Sequence, residues 1–219
     1  MNLSDSQAIC EADVVTIANA LKGKGYIVLP GAFTKELLRH LVQRVMHIPP
    51  GQWKQAGMGR DRGREGVREH GRVSDQGIRS DKTRWINNTH PVEKAYLACM
   101  EGLRTELNRL LFMGLFGFEG HFAVYEKGAF YLKHLDAFKA QKNRVLSTVL
   151  FLNPEWYRLD AGELVLYASE GEDPIERILP LLGTLVIFLS EIFPHEVLQS
   201  SRTRYSLTGW FHIRPTLSF

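Results

Sequence analysis

The sequence predicts an α+β fold, mainly β: an antiparallel sandwich or jelly roll buttressed on one side by N-terminal α-helices. Three observations carry this. Apolar residues at helical spacing are confined to the first half of the chain, beyond Gly120 they give way to short runs rich in β-branched and aromatic residues, and no helical pattern separates those runs. Helices first and strands after is the signature of segregated layers rather than of alternating βαβ units. At 219 residues the chain suits one domain over 1–219.

The first element is a helix from about Ser4 to Leu21, with Ile9, Val14, Ile17 and Leu21 on one side and Gly23 and Gly25 as stop signals. "YIVLP" follows as a short strand. "TKELLRHLVQRVMHI" reads as a second helix, with Thr34 as N-cap and Leu37, Leu38, Leu41, Val42 and Val45 apolar. Pro49 and Pro50 end it. From Gly51 to about Asp81 the chain is rich in Gly, Arg and Asp without apolar period, and a loop of that length is either functional or disordered. Pro91 opens a third helix, with Ala95, Ala98, Leu103, Leu107 and Leu110 available to pack. Residues 1–119 are thus expected to form helical support plus a lid loop at about 51–84, and 120–213 the jelly-roll core. The expected strands are "HFAVYE", "AFYLKHLD", "RVLSTVLFLN", "GELVLY", "TLVIFLS", "EVLQS" and "RYSLTGWFHI".

Composition narrows the class. Only Cys10 and Cys99 are present, which argues against a disulfide framework and for a reducing, cytoplasmic setting. No secretory leader opens the sequence, and the most apolar stretch, Ile178 to Ser190, is too short to cross a bilayer and is broken by Pro180 and Gly183. Lys54 to Arg84 carries nine Lys/Arg against five Asp/Glu, a local excess of +4 against +3 for the whole chain. Interspersed acids and scarce aromatics favour a solvated loop over a nucleic-acid surface.

The chemistry begins at "KHLDAF". Residues two apart on a strand share a face, so His134 and Asp136 can converge on one ion. Two imidazoles and one carboxylate on one side of a metal make the facial arrangement of non-haem Fe(II) oxygenases, and His195 is the best-placed second histidine. Taken alone, each signal is weak. Arg204, nine residues on, and Thr208 on the same face sharpen it, because a guanidinium fork and a hydroxyl would hold the distal carboxylate of 2-oxoglutarate. Arg204, Ser206, Thr208, Trp210 and His212 share that face, and without the histidines it reads as the polar side of an edge strand.

"IRSDKTRWI", "YEKGAFYLKHLD", "RVLSTVLFLNPEWY" and "PHEVLQSSRTRYSLTGWF", in that order, resemble segments of the 2-oxoglutarate- and Fe(II)-dependent prolyl hydroxylases that act on hypoxia-inducible factor, and of their bacterial relatives. The resemblance implies a double-stranded β-helix core and a finger loop before "IRSDKTRWI" that closes over a protein substrate. It implies His134, Asp136 and His195 as iron ligands, Arg204 and Thr208 as the cosubstrate's carboxylate site, and Tyr125 as the active-site tyrosine. Phe151 departs from the animal enzymes, which carry a tyrosine there.

Fe(II), 2-oxoglutarate and dioxygen are the implied cofactor and cosubstrates, with ascorbate as a candidate reductant. The expected partner is a protein bearing a target proline, elongation factor Tu first, with no membrane and no nucleic acid. Arg79, Asp81 and Trp210 are candidate substrate contacts, the first two also a local ion pair at the lid hinge. Two other readings stay open: the same iron chemistry on nucleic acid, and a cupin-like metal sensor without turnover. The anion clamp of Arg204 and Thr208 argues against the sensor.

Overall fold

The structure is a computed structural model and describes residues 9–57, 77–136 and 143–214. Of the three helices among the described residues, the first starts at Glu11, not near the expected Ser4, and continues through Gly23, which was expected to stop it. α1 (Glu11–Lys24) stops at Gly25, whose φ of 81° is left-handed and whose N–H closes on the carbonyls of Ala20 and Leu21. A side chain there would lie 2.9 Å from the Phe193 ring, so glycine is required twice over. α2 (Lys35–Met46) is capped by Thr34, whose Oγ1 accepts from the Leu37 N–H at 3.3 Å, and it buries the five expected apolar residues.

α3 (Pro91–Leu111) starts at the proline, but its buried stripe differs from the expected one. Tyr96, Cys99 and Met100 are buried alongside Ala95, Leu103 and Leu107, whereas Ala98 is exposed and Leu110 half-buried. A helical period fits Tyr96, Cys99, Leu103 and Leu107 on one line, with Ala98 turned away from it. Glu93, in the first turn, is fully buried and receives Arg44 at 2.8 Å, Arg84 at 2.5 Å and the Asn87 N–H at 3.0 Å. That carboxylate ties α2, α3 and the sheet together.

Among the described residues, eleven strands form two antiparallel sheets: β1 (Tyr26–Pro30), β2 (Lys54–Gln55), β3 (Lys82–Trp85), β4 (Gly117–Tyr125), β5 (Tyr131–His134), β6 (Arg144–Phe151), β7 (Leu164–Tyr167), β8 (Pro174–Ile178), β9 (Thr184–Leu189), β10 (His195–Val197) and β11 (Arg204–His212). The larger sheet runs β1-β9-β6-β11-β4-β3-β2 and the smaller β5-β10-β7-β8. β2, β3 and β8 were not expected. The first two are short, and "PIERI" in β8 is largely exposed, so none shows the apolar signal of a core strand. Because β2 and a 3-10 turn at Pro50–Gln52 interrupt it, the expected loop from Gly51 is shorter than supposed, and its residues 58–76 lie outside the described residues.

Strand alternation divides the larger sheet between two cores. Phe122, Leu150, Ile187, Leu207 and Phe211 face the helices and pack against Ile17, Leu41, Met100 and Leu107. Ala123, Val149, Phe151, Val186 and Phe188 face Leu164, Leu166 and Val197 of the smaller sheet. Truncating a fully buried aromatic such as Phe211 would cost about 3–5 kcal/mol. β11 lies between β4 and β6 and is covered on both sides, so its polar face turns inward between the sheets and is no solvent edge. This is a double-stranded β-helix, a jelly roll with helices on one outer face.

Candidate metal centre and cosubstrate pocket

β5 and β10 pair so that His134 stands directly opposite His195. Their rings approach to 4.2 Å between centroids, and Asp136 reaches them from just past the end of β5. His134 Nδ1 lies 2.7 Å from the Leu132 carbonyl and His195 Nδ1 lies 3.1 Å from that of Phe193. A carbonyl can only accept, so each Nδ1 carries the proton and each Nε2 keeps its lone pair.

Those two Nε2 atoms face the Asp136 carboxylate at 3.7 and 3.6 Å, too far for hydrogen bonds and suited to sharing an ion between them. The three ligand atoms lie within 4.8 Å of one another, the one such group among the described residues. Two imidazoles and one carboxylate are the donor set suited to a non-haem Fe(II) centre. Burial holds the pKa of His195 down at about 4, with His134 beside it acting the same way, so the ring is neutral and ready to ligate. Burial would raise the Asp136 pKa, but His195, His134 and Ser147 outweigh it, so the group stays well below the usual carboxylate range.

The carboxylate is also fixed from behind. Ser147 on β6 donates to Asp136 Oδ2 at 2.7 Å and meets Ser190 at 2.9 Å, all three residues being buried. The sequence offers no signal for this, since the serines are 43 residues apart and each reads as an ordinary strand residue.

Arg204 opens β11 directly opposite Tyr125 on β4. Its guanidinium is 1% exposed and lies 5.0 Å from the Tyr125 ring and 5.1 Å from the Phe151 ring. Nε and Nη1 have no hydrogen-bond partner among the described residues. Burial pulls its pKa down to about 10, still cationic at neutral pH. A buried cation with unused donors calls for an anion. Burial, with Asp81 nearby, raises the Tyr125 hydroxyl far above its ordinary value, so it is neutral. Thr208 lies on the same face of β11, in register with His121 on β4 and Val149 on β6.

Trp210 lies two residues beyond Thr208, buried, with its Nε1–H unpartnered and the Arg144 guanidinium 3.6 Å over its ring. Arg79 and Asp81 form a two-pronged ion pair at 2.8 and 2.7 Å, but Asp81 is fully buried, so the pair is no surface hinge contact. Burial opposes the charge on Arg79, yet its bonds to Asp81 raise its pKa overall. His121 is 6% exposed, is flanked by Trp85 and Trp210, and its Nδ1 has no hydrogen-bond partner among the described residues. Of the "KHLDAF" residues, Ala137 and Phe138 lie outside the described residues.

A jelly roll that gathers two histidines, an aspartate and a buried unpaired arginine between its sheets is built as a metal- and anion-binding oxygenase fold. Residues 120–212 match the 2OG-Fe(II) oxygenase superfamily. Among solved structures, a Pseudomonas putida prolyl-4-hydroxylase is 33% identical with a TM-score of 0.80, covering 92% of this chain and 100% of that one. A Trichoplax adhaerens prolyl hydroxylase in complex with a hypoxia-inducible-factor oxygen degradation domain peptide is 25% identical, also at 0.80, covering 92% and 90%. A prolyl 3,4-dihydroxylase of Ostreococcus tauri is 31% identical over 42% of this chain. The chain spans 16–34% of the length of the curated relatives it matches first. The chain belongs to the 2OG-Fe(II) oxygenase superfamily, and membership implies Fe(II), 2-oxoglutarate and dioxygen.

Proposed function

We propose that this chain hydroxylates a prolyl residue in a protein, using Fe(II), 2-oxoglutarate and dioxygen. The observation that carries the reading is the presence, between the two sheets, of the His134–Asp136–His195 cluster together with buried Arg204, whose Nε and Nη1 have no hydrogen-bond partner among the described residues. The similarity to prolyl hydroxylases from a bacterium and an animal supports the substrate class. Elongation factor Tu is the first protein to test, because the sequence resembles bacterial enzymes associated with it.

His134, Asp136 and His195 would hold the iron. Iron bound with 2-oxoglutarate supplies the oxidation, converting the cosubstrate to succinate and carbon dioxide as oxygen is delivered to a C–H bond. The remaining work belongs to the protein. Arg204 would bind the distal carboxylate through its free Nε and Nη1 donors, and the neutral rings of Tyr125 and Phe151 beside it exclude water, which strengthens that ion pair. Thr208 lines the same face between the clamp and Trp210, and its hydroxyl completes the polar lining. Ser147 holds the Asp136 carboxylate in one orientation. Trp210, with its free N–H, and Arg79 border the space left for substrate.

The test is intact-mass analysis of candidate proteins and prolyl peptides incubated with purified protein, Fe(II) and 2-oxoglutarate. A gain of about 16 Da on proline, matched by succinate, is expected. Turnover of another substrate with every prolyl substrate untouched would sink the reading.

A further inference from the structure

Two contacts hold the ring of His134. The hydrogen bond from Nδ1 to the Leu132 carbonyl sets one. The other is a stack: the Tyr131 ring lies 3.5 Å from the imidazole, centroid to centroid, at 14°. The guanidinium of Arg79 lies 4.2 Å from the same Tyr131 ring. An imidazole and a guanidinium that close cannot share one face, so the phenol is clamped between them. Arg79 in turn is fixed by both oxygens of buried Asp81.

The backbone reinforces this order of contacts. Residues 78–80 lie along β5, with Leu132 N–H donating to the Ile78 carbonyl at 2.9 Å and Ser80 N–H to that of Phe130 at 3.1 Å. Ser80 Oγ accepts from the Phe130 N–H at 3.0 Å, and Arg79 pairs with Tyr131 across the bridge. Nothing in the reaction as described uses Tyr131, and a buried ion pair that only held a loop would not need to cover an aromatic face.

We propose that Arg79 and Tyr131 are positioning residues for the metal: Asp81 locks Arg79, Arg79 presses Tyr131, and Tyr131 fixes the plane of His134 so that its Nε2 points at the ion. The contacts are side chain on side chain throughout, and two of them are stacks against one ring, where orientation is transmitted as well as position. This inference rests on the reading of His134, Asp136 and His195 as a metal site.

Cobalt(II) tests it without turnover, by titration with calorimetric and visible-absorption readouts. Tyr131→Leu removes the flat surface and should weaken cobalt binding about tenfold and alter the visible spectrum, as loss of a residue supporting a ligand does. Tyr131→Phe keeps the stack and should restore wild-type affinity and spectrum. Arg79→Met alone would strand the Asp81 carboxylate, so Arg79→Met/Asp81→Asn is the partner variant, expected to behave like Tyr131→Leu. It decides the matter if Tyr131→Leu does not fold. Wild-type affinity and spectrum in the folded variants overturn the inference alone. Equal cobalt uptake by wild type and His134→Ala overturns the metal reading and the inference with it.

Discussion

Phe151 places a bare phenyl ring 5.1 Å from the Arg204 guanidinium, within the cavity that the arginine serves. The ring excludes water but donates nothing, so the anion's hydrogen bonds fall to Arg204 and to groups farther along β11. Phe151→Tyr adds a hydroxyl on that side. A hydrogen bond to a charged group contributes about 1.5–3 kcal/mol, and the fully buried ring has little room to shift. The expected outcome is a KM for 2-oxoglutarate lowered by roughly tenfold with kcat unchanged, read by succinate release.

Arg204 is a buried cation with unused donors, an arrangement that strains the protein until an anion arrives. Arg204→Met should leave the melting temperature without cosubstrate equal to or above that of wild type. Adding 2-oxoglutarate at about a hundred times its Kd should stabilise wild type by about 2.7 kcal/mol and the variant not at all. Differential scanning calorimetry with and without the cosubstrate checks both halves.

Asp136→Ala removes the carboxylate that faces the two imidazoles and leaves Ser147 to pair with Ser190. Iron stoichiometry measured by elemental analysis should fall from about one to near zero. Succinate formation should be lost as well, with the far-ultraviolet circular dichroism unchanged. Iron retained at the wild-type level would remove Asp136 from the ligand set.

Acid should destabilise the metal-free protein earlier than carboxylate titration would. Burial holds His121 and His195 at about 4 in the fold, against about 6.5 in the unfolded chain. Below 6.5 the unfolded state takes up protons that the native state refuses until about 4, so stability falls as pH drops through that window and is unaffected above it. The slope from each histidine is at most about 1.4 kcal/mol per pH unit. Urea unfolding in the presence of a chelator should show the decline, and His121→Gln should roughly halve it.

The strand series, both later helices and the four residues His134, Asp136, His195 and Arg204 were legible because each carries a local mark: alternation, a cap, or a spacing of two or nine residues. What escaped has no local mark. The Ser147–Asp136 bond, the Tyr131–His134 stack and the burial of His121 arise from contacts across sheets or from strand register, which a single sequence does not display. Ala98 failed for a different reason: alanine is tolerated on either side of a helix, so it gives the apolar stripe no direction. The local pairing of Asp81 with Arg79 could be read from "RSDK", but nothing in those residues announces that Asp81 is fully buried.

The candidate metal ligands His134 and His195 belong to the smaller sheet, while Arg204 belongs to the larger one. The distance between ion and anion clamp is therefore the gap between two packed sheets, held open by Val149, Phe151, Val186 and Phe188. Those apolar residues act as a gauge block for the length of the diacid. Exchanging Phe188, which rests edge-on against His195 at 4.7 Å, for a smaller residue changes the calibration without touching a polar group. If the three ligands and Arg204 hold the cosubstrate as proposed, selectivity between a five-carbon and a six-carbon diacid would follow the thickness of this hydrophobic core.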